Sequence, residues 1–179
     1  TLTYDATIAS RIAGQGSGLS ITFDGTDDEA DTPDTANASF GNATNDTPVS
    51  VVAWVKQTAT TGIKEILTKY DITTGTTARE WRFFLDAAEK LNFEMWDESV
   101  PASIGRLYNT ALGTGSIINV AATYSGSKTA AGIKLYSAAA QVADTNANIG
   151  TYVAPENTAS HITLGFSKGA SAGVNFFSG

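Results

Sequence analysis

Several residue types are scarce in this 179-residue sequence, and each shortage excludes a class of protein or site. There is no cysteine, so the chain has no disulfide framework, no thiolate metal site and no cysteine nucleophile. A single histidine, His161, excludes the zinc sites that are built on two or three imidazoles. The longest window without a charged residue, 107–127, contains three glycines together with Asn, Ser and Thr, so we expect no membrane insertion.

Charged residues are also few, at 16% of the chain, and they are unevenly distributed. The formal net charge of −7 lies entirely within the first 50 residues, because the acids and bases of residues 51–179 cancel. Six of the acids fall between Asp24 and Asp34, a segment that we call the acidic loop. Such a surface repels phosphate backbones, so the sequence predicts no nucleic-acid partner.

What the sequence has in abundance is Ala, Thr, Gly and Ser, which make up nearly half of its residues. Helical and coiled-coil proteins are instead rich in Glu, Lys, Leu and Arg. Runs of β-branched and aromatic residues between turn signals predict strands at 19–23, 49–56, 65–70, 81–85, 91–96, 117–124, 133–137, 161–166 and 174–177. This regular spacing indicates an all-β fold, a β-sandwich or jelly roll.

The run 49–56 (VSVVAWVK) is the strongest strand pattern in the chain. Successive side chains of a strand point to opposite faces, and here both faces are largely apolar. We therefore expect a central strand of a packed sheet, with Trp54 in the core, and we place Trp81 in the core as well. In the run 91–96, Leu91, Phe93 and Met95 share the core face, which leaves Asn92, Glu94 and Trp96 on the other face.

Eight segments resemble, in the same order, the motifs of one family. They are GLSITFDGTDDEAD, VSVVAWVKQ, EILTKYD, EWRFFLD, KLNFEMWDE, INVAATYSGS, GIKLYSAAAQV and ITLGFSKG, the last followed by FFSG. In this order they are similar to the strands of the laminin-G-like, concanavalin A-like lectin-glucanase jelly-roll superfamily. The resemblance covers residues 18–179, and we expect residues 1–17 to form an N-terminal extension or a first strand.

The resemblance implies a two-sheet antiparallel sandwich that often binds calcium and mostly serves as a glycan-binding or adhesion module. The family normally continues past its FFSG-like segment into a final strand, to which nothing in this sequence corresponds. We therefore expect the domain to lack the usual last strand and to leave an exposed sheet edge. Unpaired N–H and C=O groups at such an edge favour pairing with another protein subunit.

A minority of the family are glycosidases, whose two carboxylates face one cleft at about 5–5.5 Å for retention or 6.5–9.5 Å for inversion. The nearest candidate strand carries Glu94, Asp97 and Glu98. Glu94 and Asp97 should point to opposite faces, whereas Glu94 and Glu98 share a face but lie about 13 Å apart by strand rise. The sequence therefore predicts no catalytic residue and no enzymatic activity.

The acidic loop offers carboxylates to a calcium ion, which takes about six to eight oxygen ligands. Its spacing does not fit an EF-hand, and a solvated acidic turn explains the same residues. The resemblance to an often calcium-binding family makes a structural Ca²⁺ an equal alternative, with Asp24, Asp27 and Asp28 as the expected ligands. We expect no other cofactor.

Trp96, with Asn92 and Glu94 on the same face, forms a candidate sugar-binding platform. An aromatic ring stacks on the C–H side of a pyranose while neighbouring polar side chains bind its hydroxyls. Arg82 lies on the neighbouring strand, and we expect it beside this platform. The alternative is a tryptophan that covers the sheet or packs beneath a loop.

Two functions fit these observations. The first is a non-catalytic recognition or adhesion module, displayed on a surface within a larger assembly, that binds a glycan or another surface polymer. The second is a structural virion protein, a bacteriophage capsid decoration or fibre component, since low charge and small side chains suit an assembly protein. Either function places the chain outside the cell or on a virion surface. A laminarinase-type glycosidase ranks third.

Overall fold

Antiparallel β-strands form nearly all of the regular structure. The computed structural model describes residues 3–4, 11–13, 19–73, 76–169 and 173–179. The strands are β1 (Thr3–Tyr4), β2 (Arg11–Ala13), β3 (Leu19–Ile21), β4 (Ala30–Thr32), β5 (Val49–Val55), β6 (Lys64–Thr73), β7 (Thr76–Leu85), β8 (Lys90–Asp97), β9 (Ala102–Ala111), β10 (Ile118–Tyr124), β11 (Ile133–Ser137), β12 (Ala140–Gln141), β13 (Asp144–Asn146), β14 (Ile162–Leu164), β15 (Ser167–Lys168) and β16 (Gly173–Val174). Two short 3₁₀ helices span Ala36–Ala38 and Ala130–Gly132. Within the described residues, no helix is long and apolar enough to cross a membrane.

Most of these strands belong to two sheets. The large sheet has the order β1-β4-β14-β6-β7-β8-β9-β13, and β15 and β16 join it beside β6. The small sheet has the order β12-β11-β10-β5, and β2 pairs separately with β3. The described pairings are antiparallel except for the contact between β15 and β6. The predicted all-β, two-sheet antiparallel sandwich is confirmed.

The strand boundaries agree with prediction in the middle of the chain. β11 has the predicted ends, and the β7–β8 hairpin is present with longer strands. β9 has no counterpart among the predicted strands, because ASIGRLYNTA mixes small, polar and charged residues without the alternation of a half-buried strand. Residues 1–17 are described only at β1 and β2, so the domain boundary at residue 18 stays a prediction.

The core lies between the two sheets. Phe83 and Phe93 are paired across β7 and β8, are fully buried, and pack their rings edge to face with centroids 6.4 Å apart. Leu91 and Met95 point the same way and are also fully buried, as predicted. The small sheet contributes Val120, Ala122, Ile133 and Leu135. Each large apolar side chain buried here stabilises the fold by about 1.5–3 kcal/mol.

A buried ion pair fastens the large sheet to two loops. The ammonium of Lys69 on β6 lies 2.5 Å from a carboxylate oxygen of Glu80 on β7, and both side chains are fully buried. The same ammonium contacts Asp34 at 2.8 Å and Ser39 at 2.8 Å in one loop, and the backbone oxygen of Thr158 at 2.7 Å in the other. These added contacts satisfy a charge that burial alone would destabilise.

The expected position of β5 is wrong. Within the described residues β5 pairs only with β10, so it forms an edge of the small sheet. On its outer face Val52 is 58% and Trp54 72% exposed, so Trp54 is not a core residue. Trp81, by contrast, is 2% exposed and confirms its prediction. The apolar character of both faces of β5 suggested burial on both, but only the inner face packs against the core.

Candidate functional site

Polar side chains line up across the face of the large sheet that points away from the core. Strand register aligns six residues in a row that crosses β4, β14, β6, β7, β8 and β9: Asp31, Thr163, Thr68, Arg82, Glu94 and Gly105. We call this the polar row. Because side chains alternate along a strand, the Arg82–Glu94 pair points to the face of the sheet away from the core, whereas the neighbouring Phe83–Phe93 pair points into the core. The surface formed by Arg79, Arg82, Glu94, Trp96 and Glu98 is called the polar face below.

Arg82 is the centre of the polar face. Its Nε donates a hydrogen bond to Oε2 of Glu94 at 2.9 Å, and its Nη1 lies 3.5 Å from Oε1 of Glu65. The guanidinium also lies over two aromatic rings, with its carbon 4.8 Å from the centroid of Tyr70 and 3.9 Å from that of Phe84. Ion pairing and cation–π contacts therefore fix this side chain in one orientation.

A second arginine–carboxylate pair lies beside the first. Nε and Nη2 of Arg79 donate to the two carboxylate oxygens of Glu98 at 2.6 and 2.9 Å, a bidentate pair. The guanidinium carbon of Arg79 lies 4.1 Å from the ring centroid of Trp96. Tyr70 packs edge-on against the same ring at 5.7 Å. The two arginines thus cover an aromatic layer beneath them.

The structure brings the four predicted ligand-binding residues onto one face, but it does not expose the predicted platform. Trp96 is only 6% exposed, and its indole N–H donates to Oε2 of Glu94 at 3.0 Å. Asn92 is 4% exposed and pairs with Phe84 across β7 and β8. Glu94 is also only 6% exposed, whereas the side chain of Arg82 keeps 14% of its surface exposed. In this arrangement Trp96 covers the sheet beneath Arg79, so guanidinium and carboxylate groups, rather than the ring, form the outer layer of this face.

Glu65 belongs to the same cluster of charged side chains, although it was not among the site residues predicted from the sequence. It is fully buried, its Oε1 lies 3.4 Å from the amide nitrogen of Asn175, and its Oε2 has no hydrogen-bond partner in the described part of the chain. Burial raises the pKa of Glu65 to about 7, the positive charge of Arg82 opposes the rise, and the negative charge of Glu94 adds to it. Glu65 stands at the start of the predicted strand 65–70, and its acidic side chain next to Ile66 and Leu67 was the available signal.

Gly105 gives Glu94 the space it occupies. A Cβ at this position would lie 2.8 Å from Cγ of Glu94 and 3.1 Å from the backbone oxygen of Ala147. The backbone of β9 therefore approaches the polar face closely only because residue 105 has no side chain. Since β9 was not predicted, its role was not visible in the sequence.

The acidic loop also brings its predicted residues together. One carboxylate oxygen from each of Asp24, Asp27 and Asp28 lies within 4.8 Å of the others, with Asp28 buried and the other two exposed. Asp24 Oδ1 accepts the backbone N–H of Thr26 at 2.7 Å, and Asp28 Oδ2 accepts that of Asp24 at 2.8 Å. An all-carboxylate donor set of this size fits a hard cation such as Ca²⁺.

Comparison with known proteins gives structural matches alone. No protein-family model and no curated protein sequence matches the chain. A carbohydrate-binding module (CBM40) of the Ruminococcus gnavus IT-sialidase, bound to α2,3-sialyllactose, superposes with a TM-score of 0.58 at 14% identity, covering 76% of this chain and 72% of that one. A second structure of the same module gives a TM-score of 0.55 at 15% identity, covering 74% of this chain and 71% of that one. Bound to α2,6-sialyllactose it gives 0.53 at 14% identity, covering 76% and 74%.

These modules share the fold of this chain. At such low identity the likeness supports a related β-sandwich fold, and it does not single out the laminin-G-like family that the sequence resembles. The three modules are carbohydrate-binding modules, and at 14–15% identity their likeness to this chain shows the fold alone.

Proposed function

We propose that this chain is a non-catalytic glycan-binding module and that the polar face is its binding surface. The observation that carries the proposal is the pair of arginine–carboxylate contacts, Arg79 with Glu98 and Arg82 with Glu94, side by side over one aromatic layer. Their side chains are 8–17% exposed, whereas the aromatic residues beneath them are 3–7% exposed, so the charged groups form the outer layer of the face.

Paired guanidinium and carboxylate groups suit sugar hydroxyls. A hydroxyl both donates and accepts a hydrogen bond, and each pair presents N–H donors next to carboxylate acceptors. Because Trp96, Tyr70 and Phe84 already hold the arginines in place, little side-chain entropy is lost on binding. Such preorganisation lowers the entropic cost of binding and so supports the modest affinity expected of a recognition module.

The geometry argues against hydrolysis. Glu65 and Glu94 both contact Arg82, and two neighbouring carboxyl groups, one of them with a raised pKa, resemble the acid and nucleophile of a glycosidase. A substrate must reach both groups, however, and Glu65 is fully buried. We therefore propose no catalytic residue, and we expect purified protein to release no sugar from any glycan that it binds.

The experiment is a glycan-array screen followed by calorimetry on the sugars that bind. We expect Arg79→Gln to weaken binding by about tenfold or more, the effect of losing a charged hydrogen-bond donor. Arg106→Gln is the matched control, because Arg106 forms a similar partly exposed pair with Asp144 but lies on the core-facing side of the large sheet. Equal effects of both variants, or no binding to any sugar, would contradict the proposal.

We further propose that the module is displayed extracellularly within a larger assembly, and that the open edge of β5 contacts another protein subunit. The exposed Val52 and Trp54 beside this edge favour this interpretation, because large exposed apolar side chains often mark interfaces. A virion protein of the capsid-decoration or fibre type is one such assembly. Native mass spectrometry of the particle from the source tests it, since a strictly monomeric chain would contradict it.

We also propose that the acidic loop binds one structural Ca²⁺ through Asp24, Asp27 and Asp28, whose carboxylates lie close enough to share an ion. The ion would stabilise the loop and take no part in the chemistry of the polar face. The melting experiment in the Discussion tests this proposal.

A further inference from the structure

Both arginines of the polar face are already bound to carboxylates of the protein itself. Arg79 forms its two-bond fork with Glu98, at 2.6 and 2.9 Å. Arg82 donates to Glu94 at 2.9 Å and lies 3.5 Å from Glu65. Two guanidinium groups therefore face three carboxyl groups, and the polar face has no excess of positive charge.

At the borders of the polar face, too, positive charges are balanced by carboxylates and give no excess of positive charge. At one end of the polar row, the carboxylate of Asp31 is contacted by Nζ of Lys168 at 2.9 Å and by Nδ1 of His161 at 2.6 Å. At the other border, the carboxylate of Glu156 accepts the backbone N–H of Glu98 at 2.7 Å and brings a further negative charge. These contacts leave the surroundings of the polar face neutral or acidic.

We infer that the polar face selects neutral, hydroxyl-rich sugars over acidic sugars that carry a carboxylate. The inference rests on the proposed function and specifies its ligand class. A sugar carboxylate prefers the planar guanidinium fork that Glu98 now occupies, so it binds Arg79 only by displacing Glu98. It also meets the like charges of Glu94 and Glu156. A neutral hydroxyl joins the existing pairs without displacing a partner.

This ligand class separates the chain from the solved modules that share its fold. Two of those structures are bound to sialyllactose, an acidic glycan. A common sandwich with different charges on its binding face is expected to bind different sugars, because specificity depends on the groups of the site rather than on the fold.

The first test compares matched pairs of glycans, each neutral oligosaccharide with its sialylated form, lactose and sialyllactose among them. We expect the neutral member to bind about fivefold more tightly at low salt, the size of one unfavourable charge contact near a surface. Tighter binding of the sialylated member would overturn the inference and leave glycan binding intact. Failure of both members of every pair to bind would overturn the proposed function itself.

A charge-removing variant tests the cause. Glu98→Gln keeps the shape of the side chain but removes the carboxylate that competes for Arg79. We expect the ratio of sialyllactose affinity to lactose affinity to rise about fivefold. Asp144→Asn makes the same change in the ion pair of Arg106 and should leave the ratio unchanged. An unchanged ratio in Glu98→Gln protein that melts like wild type would overturn the inference.

Discussion

One buried carboxyl group, Glu65, is expected to make the protein less stable as the pH rises from 4.5 to 7. Glu65 is fully buried on β6, and burial raises its pKa from 4.5 to about 7. Arg82 is the facing group that lowers this pKa and Glu94 the facing group that raises it. Because burial is the largest of these effects, the folded protein holds a proton that the unfolded chain has already lost.

The sign and size of the effect follow from this difference. Below pH 4.5 both states are protonated and the contribution of Glu65 to stability is fully present. Between pH 4.5 and about 7 only the folded state keeps the proton, so the free energy of unfolding falls as the pH rises. At about 1.4 kcal/mol for each pKa unit, the shift corresponds to a loss of about 3 kcal/mol.

Glu65→Gln removes the titration and keeps the shape of the side chain. We expect the variant to gain about 3 kcal/mol relative to wild type between pH 4 and pH 8, because glutamine has no proton to lose. Urea unfolding followed by tryptophan fluorescence at steps of pH measures both free energies. Asp27→Asn, which removes an exposed carboxylate, serves as the control with chelator present throughout.

Parallel pH profiles of the wild type and Glu65→Gln would refute this reasoning. Such a result would mean that Glu65 titrates alike in the folded and unfolded states, and therefore that Arg82 compensates fully for its burial. If the free energy of unfolding fell more steeply with rising pH in Glu65→Gln than in the wild type, the predicted sign of the effect would be refuted.

Three further outcomes are expected. Gly105→Ala should destabilise the fold by about 1–3 kcal/mol in urea unfolding, because the new Cβ overlaps Glu94; an unchanged midpoint would show that β9 shifts freely. Lys69→Met should cost about 3–5 kcal/mol in the same assay because it leaves the buried Glu80 without its positively charged partner, and an unchanged midpoint would contradict this role of the ion pair. Adding Ca²⁺ to chelated protein at 100 times its Kd should stabilise it by about 2.7 kcal/mol by calorimetry, and Asp28→Asn should abolish this gain; a wild-type melting temperature insensitive to the ion would contradict the calcium proposal.

Local patterns predicted much of the fold and part of the site. Strand alternation placed Phe93 in the core and Glu94 on the opposite face, because the period of a strand is two residues wherever it lies. Adjacent strands of a hairpin put Arg82 beside Glu94 for the same reason. Asp24 and Asp28 lie together because they are only four residues apart.

The tertiary structure decided which apolar faces are covered. Trp54 and Trp96 both lie on strands whose side chains point alternately to the two faces of a sheet. The sequence does not show which of the two faces is covered by another part of the fold. The fold exposes Trp54 on the edge of the small sheet and buries Trp96 beneath Arg79. Burial depends on neighbours that are distant in the chain, so alternation alone put Trp54 wrongly in the core and left two environments open for Trp96, of which the fold shows the buried one.

The tertiary structure also decided the chemistry of the polar face. Arg79 lies on β7 and Glu98 in the turn after β8, and Glu65 reaches Arg82 only because β6 pairs with β7 in one register. The sequence by itself determined an acidic, cysteine-free β-sandwich and the residue types available to a binding face. Sheet order, burial and ion pairing determined how those residues combine, because each depends on contacts between segments far apart in the chain.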